Sequence, residues 1–237
     1  MKFCVIGPVY PFRGGIAQHT TLLCRHLADK HEVEAVSFKR LYPAFLFPGK
    51  TQMDQSKEAV SFNSVPLIDS IDPLTWTRAG RYIKEKAPDV VVVEWWHPFF
   101  APCLASVLRH SGSTRAIFVC HNVLPHEPKP FIRPLTMHAL RNGYGFVVHA
   151  KQEEEILRCI LPNAKVARTP LPSLDVFPRQ GLSREEARKS LDIQGPTILF
   201  FGLIRKYKGL IDLIRAVGLM KDRELTCIIA GEFYENK

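Results

Sequence analysis

Apolar segments alternate with amphipathic segments along the chain. Segments 89–94 (DVVVVE) and 115–120 (RAIFVC) are apolar or β-branched along almost their whole length. Such runs are typical of strands that are covered on both faces, as in a parallel sheet. The pattern predicts strands at 2–7, 33–38, 58–62, 89–94, 115–120, 144–149 and 164–168. Apolar residues at helical spacing predict helices at 15–29, 73–87, 99–110, 131–142 and 151–160.

The regular alternation of strands and helices predicts an α/β fold. A doubly wound parallel sheet is its economical arrangement. Segment 169–181 is rich in proline and lacks periodicity, which is typical of a linker. Residues 182–237 supply only two strands and two helices, too few to close a second core. We therefore expect a complete domain at 1–168, a linker at 169–181 and the beginning of a second Rossmann-like domain at 182–237.

Composition places the chain among globular proteins. Its 237 residues are 46% hydrophobic and 23% charged. No apolar run is long enough to span a bilayer, and the apolar stretch after Lys2 is short and is followed by Pro8. We therefore expect a cytoplasmic location. The six cysteines are scattered without paired spacing and are interpreted as small buried residues rather than metal ligands or disulfides.

Positive charge is concentrated in the first predicted domain. The net charge is +9, of which residues 1–168 carry +7 (21 Lys/Arg less 14 Asp/Glu) and the remainder +2 (11 less 9). This bias favours anionic partners such as nucleotide sugars, phosphorylated lipids or an acidic membrane surface. Because the sequence lacks the motifs of nucleic-acid modules, we expect no nucleic-acid partner.

Two glycine-containing turns are candidate phosphate sites. Gly14 and Gly15 lie directly before the first helix, where unpaired N–H groups and the helix dipole favour an anion. Gly202, Arg205 and Lys208 form the second turn, in which a planar guanidinium and an ammonium group are both suited to phosphate oxygens. We expect both turns to hold one diphosphate. A tight turn and a solvated basic turn are the structural alternatives.

Several side chains at strand ends are candidates for chemistry. His121 follows the strand 115–120, and Glu94, Trp95, Trp96 and His97 end the strand 89–94. Ligands of open α/β sheets bind at this carboxyl edge. Glu94 or His97 is a candidate general base, and the tryptophan rings are candidates for stacking on a sugar or a lipid. A hydrogen-bonded structural histidine and core tryptophans are the alternatives.

The segment 39–50 (KRLYPAFLFPGK) combines bulky apolar residues with flanking cations. Lys39 and Arg40 precede Tyr42 and Phe45. This combination is typical of peripheral binding to an anionic membrane. The alternative is a loop whose aromatic residues pack on the first domain or over the cleft.

Three segments together carry a family resemblance. They are GPVYPFRGGIAQHTTLL, VCHNVLPHE and FFGLIRKYKGL. The chain resembles the retaining glycosyltransferases of family four, which have the GT-B fold, and among them bacterial sugar transferases that carry FFG-x-IR-x-YKGL and WWHPFF segments. The resemblance implies transfer of a sugar from a nucleotide diphosphate donor to an envelope polysaccharide or lipid-linked acceptor. Retained configuration, no metal and no cofactor are implied as well.

The same resemblance assigns roles to residues. It implies that Gly14 and Gly15 bind the donor diphosphate, that Arg205 and Lys208 neutralise the leaving group, and that His121 contacts the donor sugar. Arg205 departs from the commoner pattern, in which arginine directly follows the glycine. The family's paired glutamates would lie beyond Lys237, so we expect the 237-residue chain alone to transfer no sugar.

Two other functions compete with sugar transfer. A noncatalytic module that binds an acceptor or docks on a membrane would use the same basic and aromatic residues. An NAD(P)-dependent oxidoreductase would explain the glycine-rich turn and the basic residues after the second strand. Six residues separate Gly7 from Gly14, too many for the dinucleotide fingerprint.

Overall fold

The computed structural model describes residues 1–47, 51–56, 60–125, 130–174, 181–220 and 224–233. The chain divides into two compact units. The first unit consists of Met1–Pro43 and Gln52–Phe177, and the second consists of Ala44–Thr51 and Pro178–Lys237.

The first unit is built on a parallel sheet of seven strands. Its order is β3-β2-β1-β4-β5-β6-β7, and every paired neighbour is parallel. The predicted doubly wound α/β class is therefore confirmed. The strands are β1 Lys2–Ile6, β2 Glu32–Arg40, β3 Ser64–Asp69, β4 Val90–Trp95, β5 Arg115–Cys120, β6 Gly145–Val148 and β7 Val166–Arg168.

Five helices connect these strands. They are α1 Gly15–Ala28, α2 Pro73–Lys86, α3 Ala101–His110, α4 Ile132–Leu140 and α5 Lys151–Ile160. Helix α2 begins where the sequence predicts, because Asp72 accepts a hydrogen bond from the N–H of Leu74 and Pro73 supplies a fixed φ at the first position. Short 3-10 helices lie at Ala44–Leu46 in the second unit and at Pro98–Phe100 in the first.

The core of the first unit lies on both faces of its central strands. All six residues of β4 are buried, which explains its continuous apolar sequence. Strands β1 and β4 are neighbours, with Ile6 opposite Val93. The direction in which the chain adds strands reverses between them. A crevice is expected outside the carboxyl ends of strands at such a reversal.

One predicted strand was wrong. Segment 58–62 was predicted as a strand, but residues 60–63 are irregular and the strand of this region is β3, Ser64–Asp69. Residues 57–59 lie outside the described part of the chain. Strand β3 contains Pro66, which weakens its sequence signal. Because β3 is an edge strand, it tolerates the missing N–H of that proline.

The described residues of the second unit form two parallel strands and two α-helices. Helix α6 (Arg184–Ser190) precedes β8 (Thr197–Phe201), and α7 (Leu210–Leu219) precedes β9 (Thr226–Ala230). Ser183 and Glu186 form a reciprocal capping box at the start of α6. Phe201 is 79% exposed, so the sheet of this unit leaves large apolar side chains uncovered.

The cysteines follow the sequence-based interpretation with one exception. Four of them are buried, Cys227 is half-buried, and Cys159 is exposed on α5. Burial raises the pKa of the Cys4 thiol to about 12, so that thiol is unreactive at neutral pH. Within the described ranges, no helix combines the length and the apolar composition needed to cross a membrane.

Candidate functional site

The N-terminus of α1 is open, as the glycine pair predicts. Gly14 has φ 107° and ψ 168°, a conformation reserved for glycine, and no side chain caps the helix. A Cβ on Gly14 would meet no atom within 4 Å, and one on Gly15 would meet only Leu174 Cδ1, at 3.9 Å. The first N–H groups of α1 are thus accessible to an anion.

A buried carboxylate links two histidines at the carboxyl edge of the sheet. Glu94 lies in β4 and is 0% exposed. His19 Nδ1 donates to Glu94 Oε1 at 3.1 Å, and His121 Nε2 donates to Glu94 Oε2 at 2.6 Å. His19 lies one turn beyond Gly15 in α1, and His121 directly follows β5. The carboxylate therefore fixes the orientation of both imidazole rings.

A third histidine completes the cluster. His149 directly follows β6, and its ring centroid lies 5.2 Å from that of His121 and 5.7 Å from that of His19. His149 Nδ1 donates to the backbone carbonyl of Thr169 at 3.1 Å. Burial lowers the pKa of His149, with His121 and His19 lowering it further, so this ring is neutral at pH 7.

The charge state of Glu94 follows from its hydrogen bonds. Burial alone would raise the pKa of this carboxyl, but the hydrogen bonds from His121 and His19 outweigh burial and hold the pKa below its usual range. Glu94 is therefore an anion inside the fold. Because it lies inside the fold and both its oxygens are occupied, the prediction of Glu94 as a general base was wrong.

Sequence reasoning identified His121 but missed His19 and His149. His149 stands in the same position relative to β6 as His121 does relative to β5, immediately after the strand. The strand-end argument applied to His121 therefore also identifies His149. His19 carries a weaker signal, because a single polar residue on an amphipathic helix does not indicate that it faces the sheet.

The loop after β5 is held by two contacts. Glu153 accepts a hydrogen bond from the N–H of Val123, and Trp95 Nε1 donates to the carbonyl of Val123 at 3.3 Å. Trp95 is completely buried and contacts Phe118. The prediction that Trp95 contacts an acceptor or a membrane was therefore wrong. Glu153, in the first turn of α5, thus fixes this loop.

The other residues at the end of β4 form a separate aromatic cluster. His97 Nδ1 accepts from the N–H of Phe99 and so caps a 3-10 helix. Trp96 Nε1 donates to the Tyr42 hydroxyl at 2.9 Å, and Tyr42 stacks on Phe99. These contacts give His97, Trp96 and Tyr42 structural partners. Their predicted roles toward a substrate stay predictions.

The basic segment after β2 is partly committed to an ion pair. Arg40 donates through Nε and a terminal nitrogen to both carboxylate oxygens of Asp69, at the end of β3. Lys39 precedes Arg40 at the end of β2 and is exposed. Phe45 is 84% exposed. Lys50, the last residue of the segment 39–50, lies outside the described residues.

The basic turn of the second unit adopts a compact local structure. Gly202 follows β8 with φ 114°, and the Lys208 ammonium lies 3.5 Å from the position that a Cβ on Gly202 would occupy. The N–H of Lys208 donates to the carbonyl of Arg205 at 3.0 Å. Gly209, at φ 74°, then leads into α7. This local strand–turn–helix arrangement matches the sequence prediction.

Gly7, at the end of β1, provides a test of packing beside the cluster. A Cβ on Gly7 would lie 2.8 Å from Glu94 Cγ and 3.0 Å from Thr20 Cγ2. We expect Gly7→Ala to lower the free energy of unfolding by about 1–3 kcal/mol, because the buried neighbours must shift. Urea denaturation measures this change in the free energy of unfolding.

Gly218→Ala serves as the control, because a Cβ on Gly218 would meet no atom within 4 Å. It is expected to leave the stability unchanged or slightly raised. Equal stability of the two variants contradicts the packing argument.

The sheet order and the site at its carboxyl edge define a GT-B-type, Rossmann-like α/β protein, and solved structures share this fold. HepE from Anabaena in complex with UDP aligns with a TM-score of 0.60 and 14% identity over 98% of this chain and 62% of that one. A putative UDP-N-acetylglucosamine 2-epimerase from Listeria monocytogenes aligns with a TM-score of 0.57 and 13% identity, over 96% of this chain and 62% of that one. An alpha-glucosyltransferase in complex with UDP and a 13-mer DNA aligns with a TM-score of 0.54 and 11% identity, over 98% of this chain and 67% of that one.

The chain belongs to the family described as "Glycosyl transferase 4-like domain", whose model matches residues 14–172. No curated protein matches the sequence. The chain spans 62–67% of the length of the three solved proteins. Because the glucosyltransferase was solved with DNA, these likenesses do not support the expected absence of a nucleic-acid partner, which stays a prediction.

Proposed function

We propose that this chain takes part in the transfer of a sugar from a nucleoside diphosphate donor to an acceptor, with retention of the anomeric configuration. The observation that carries the proposal is the open N-terminus of α1 at Gly14 and Gly15, at the carboxyl edge of the sheet, in a member of a glycosyl transferase 4-like family. Family membership favours a transferase over an oxidoreductase.

In the proposed mechanism, main-chain N–H groups and cationic side chains both contact the donor diphosphate. The first N–H groups of α1 bind the diphosphate, and Arg205 and Lys208 stabilise the negative charge that develops on it as the sugar leaves. These cations take the part that a metal plays on the diphosphate in other transferases. His121 contacts the donor sugar, and Glu94 keeps its imidazole in place.

The proposed acceptor is a glycan or a lipid-linked precursor of an envelope polysaccharide. An apolar ring on an exposed segment supports a peripheral location at an anionic membrane, on its cytoplasmic face. Phe45 is 84% exposed, and Lys39 is an exposed cation in the same sequence segment. The alternative of a noncatalytic docking module would use these residues without binding a donor.

The donor site is tested by a charge substitution that the helix itself tolerates. We expect Gly15→Asp to weaken binding of UDP or GDP at least about tenfold, because a carboxylate repels the diphosphate at short range. The variant should keep or gain stability, since an acidic residue in the first turn favours the helix dipole. Isothermal titration calorimetry measures the affinity.

Gly15→Ser is the control, because serine adds a small polar side chain without charge. Its affinity should fall much less than that of Gly15→Asp. Equal affinity of the aspartate and serine variants contradicts the proposal. Binding of NADPH in preference to UDP and GDP supports the oxidoreductase instead, and lipid binding without nucleotide binding supports the docking module.

A further inference from the structure

Three imidazole rings converge at the carboxyl edge of the first unit's sheet. One ring nitrogen from each of His19, His121 and His149 lies within 4.8 Å of a ring nitrogen of the other two. The residues come from α1, from the loop after β5 and from the loop after β6. Three separate elements therefore bring imidazole nitrogens close to one another.

One nitrogen of each ring is already used. His19 Nδ1 and His121 Nε2 donate to Glu94, and His149 Nδ1 donates to the carbonyl of Thr169. A carboxylate anion and a carbonyl only accept hydrogen bonds, so each of these nitrogens carries the proton. In a neutral ring the remaining nitrogen then offers a lone pair.

The lone pair of His149 lacks a partner. Its Nε2 atom is buried and has no hydrogen bond within the described part of the chain. A buried polar atom without a partner costs about 1–3 kcal/mol, so such an atom in a native protein calls for an explanation, such as an ion, a water molecule or a catalytic role. This atom points to a ligand that accepts electron density from nitrogen or donates a hydrogen bond to it.

The arrangement favours a metal ion. Imidazoles that bind metals typically donate their second N–H to a carboxylate or a backbone carbonyl, which fixes the tautomer and the ring direction. All three histidines of the cluster show this feature. The anionic Glu94, completely buried behind two of the rings, also offsets the charge of a cation.

We propose that His19, His121 and His149 bind a divalent transition-metal ion such as Zn²⁺. Imidazole ligands suit Zn²⁺, Co²⁺ and Ni²⁺, whereas Mg²⁺ and Ca²⁺ take oxygen ligands. A tetrahedral zinc site with three histidines requires nitrogens about 3.4 Å apart and keeps a fourth position for water or an anion. The rings must therefore approach one another. His149 is the ring most able to move, because it is partly exposed and its hydrogen bond is to a single backbone carbonyl.

The proposal does not depend on sugar transfer. Because the ligands are imidazoles, the site differs in chemistry from a magnesium site on a diphosphate. His121 also belongs to the proposed contact with the donor sugar, but no step of the proposed transfer passes through the ion. Metal binding is measured without donor or acceptor, so its failure and the failure of the donor-site proposal are separate results.

Cobalt provides the direct test, because tetrahedral Co²⁺ with nitrogen ligands absorbs visible light strongly. The metal-stripped chain carries Cys159→Ser, which removes the exposed thiol as a competing ligand. We expect one Co²⁺ per chain with tetrahedral absorption bands, loss of these bands when Zn²⁺ is added, and no effect of Mg²⁺. His149→Ala should weaken Co²⁺ binding at least about tenfold.

His26→Ala is the control, because the His26 side chain is 79% exposed and pairs with Asp29 outside the cluster. Its affinity should match that of the parent chain. Circular dichroism of the metal-free variants checks folding, and His149→Gln replaces the alanine variant if the latter unfolds. Absence of the visible bands, a preference for Mg²⁺, or unchanged affinity in a folded His149 variant overturns the proposal. In that case the His149 lone pair is left to a substrate hydroxyl.

Discussion

Replacing Glu94 by glutamine is expected to lower the free energy of unfolding by about 3 kcal/mol. The carboxylate is completely buried and accepts hydrogen bonds from His19 and His121. A glutamine offers one oxygen and one NH₂ group, so one histidine would face a donor instead of an acceptor. Removing one partner from a buried charged network typically costs about 3–5 kcal/mol, and the remaining oxygen recovers part of it. Chemical denaturation at pH 7 measures the loss.

The loss should depend on pH with a definite sign. The folded state holds the pKa of Glu94 below 4.5, its usual value, so the carboxylate contributes its stabilisation above that pH and loses it as the pH falls through the folded pKa. The difference between the unmodified chain and Glu94→Gln should therefore shrink below about pH 4.5. His19, His121 and His149 are the titratable groups that face this carboxylate.

An exposed glutamate serves as the control for this experiment. Glu32 pairs with Lys2, and its side chain is 68% exposed. Glu32→Gln should change stability by no more than about 0.5 kcal/mol. A loss in Glu94→Gln that equals the loss in Glu32→Gln, or that does not change with pH, would show that Glu94 is not held as a buried anion.

Replacing Lys208 by methionine is expected to raise the dissociation constant for UDP or GDP by about 10–100-fold. A hydrogen bond to a charged group typically contributes about 1.5–3 kcal/mol. Methionine keeps the length of the side chain but removes the ammonium, which in the structure lies against Gly202. Calorimetric titration measures both the affinity and the number of nucleotides bound per chain.

Lys206→Met is the matched control, because Lys206 and Lys208 lie in one short 3-10 helix, Lys206–Lys208, and both substitutions change the net charge equally. A general electrostatic effect would weaken binding equally in both variants, whereas a specific contact weakens it mainly in Lys208→Met. If Gly15→Asp and Lys208→Met both weaken binding at one nucleotide per chain, the prediction of one shared diphosphate is met. Unchanged affinity in Lys208→Met contradicts it.

The sequence predicted the sheet of the first unit well because its strands have strong local signals. Strand β4 is buried on both faces, and its four consecutive valines, Val90 to Val93, are a strong local signal for such a strand. Helix α2 is fixed by a capping aspartate and a proline. The prediction for β3 failed because β3 is an edge strand that contains Pro66, which weakens its local signal. Its position is decided by pairing with β2, which is a long-range contact.

The candidate site was only partly predictable for a similar reason. Residues placed by strand ends or by glycine turns, such as His121 and Gly15, carry a local pattern. Glu94 was recognised as polar in an apolar strand, but its partners depend on where α1 crosses the sheet. Trp95 and Trp96 are adjacent in sequence, yet one is completely buried and the other partly exposed, because Trp95 is the last residue of the buried strand β4 and Trp96 lies beyond its end.

The carboxylate of Glu94 joins α1 to the loop after β5 through two hydrogen bonds. His19 stands four residues beyond Gly15 on a helix whose backbone is continuous. A shift of α1 that accommodates an anion at its first turn must therefore alter the distance between the imidazoles, or stretch these bonds. By thermodynamic linkage any such effect is reciprocal. A ligand bound to the histidines therefore changes the affinity of the glycine turn for the anion by the same factor as the anion changes the affinity of the histidines for that ligand.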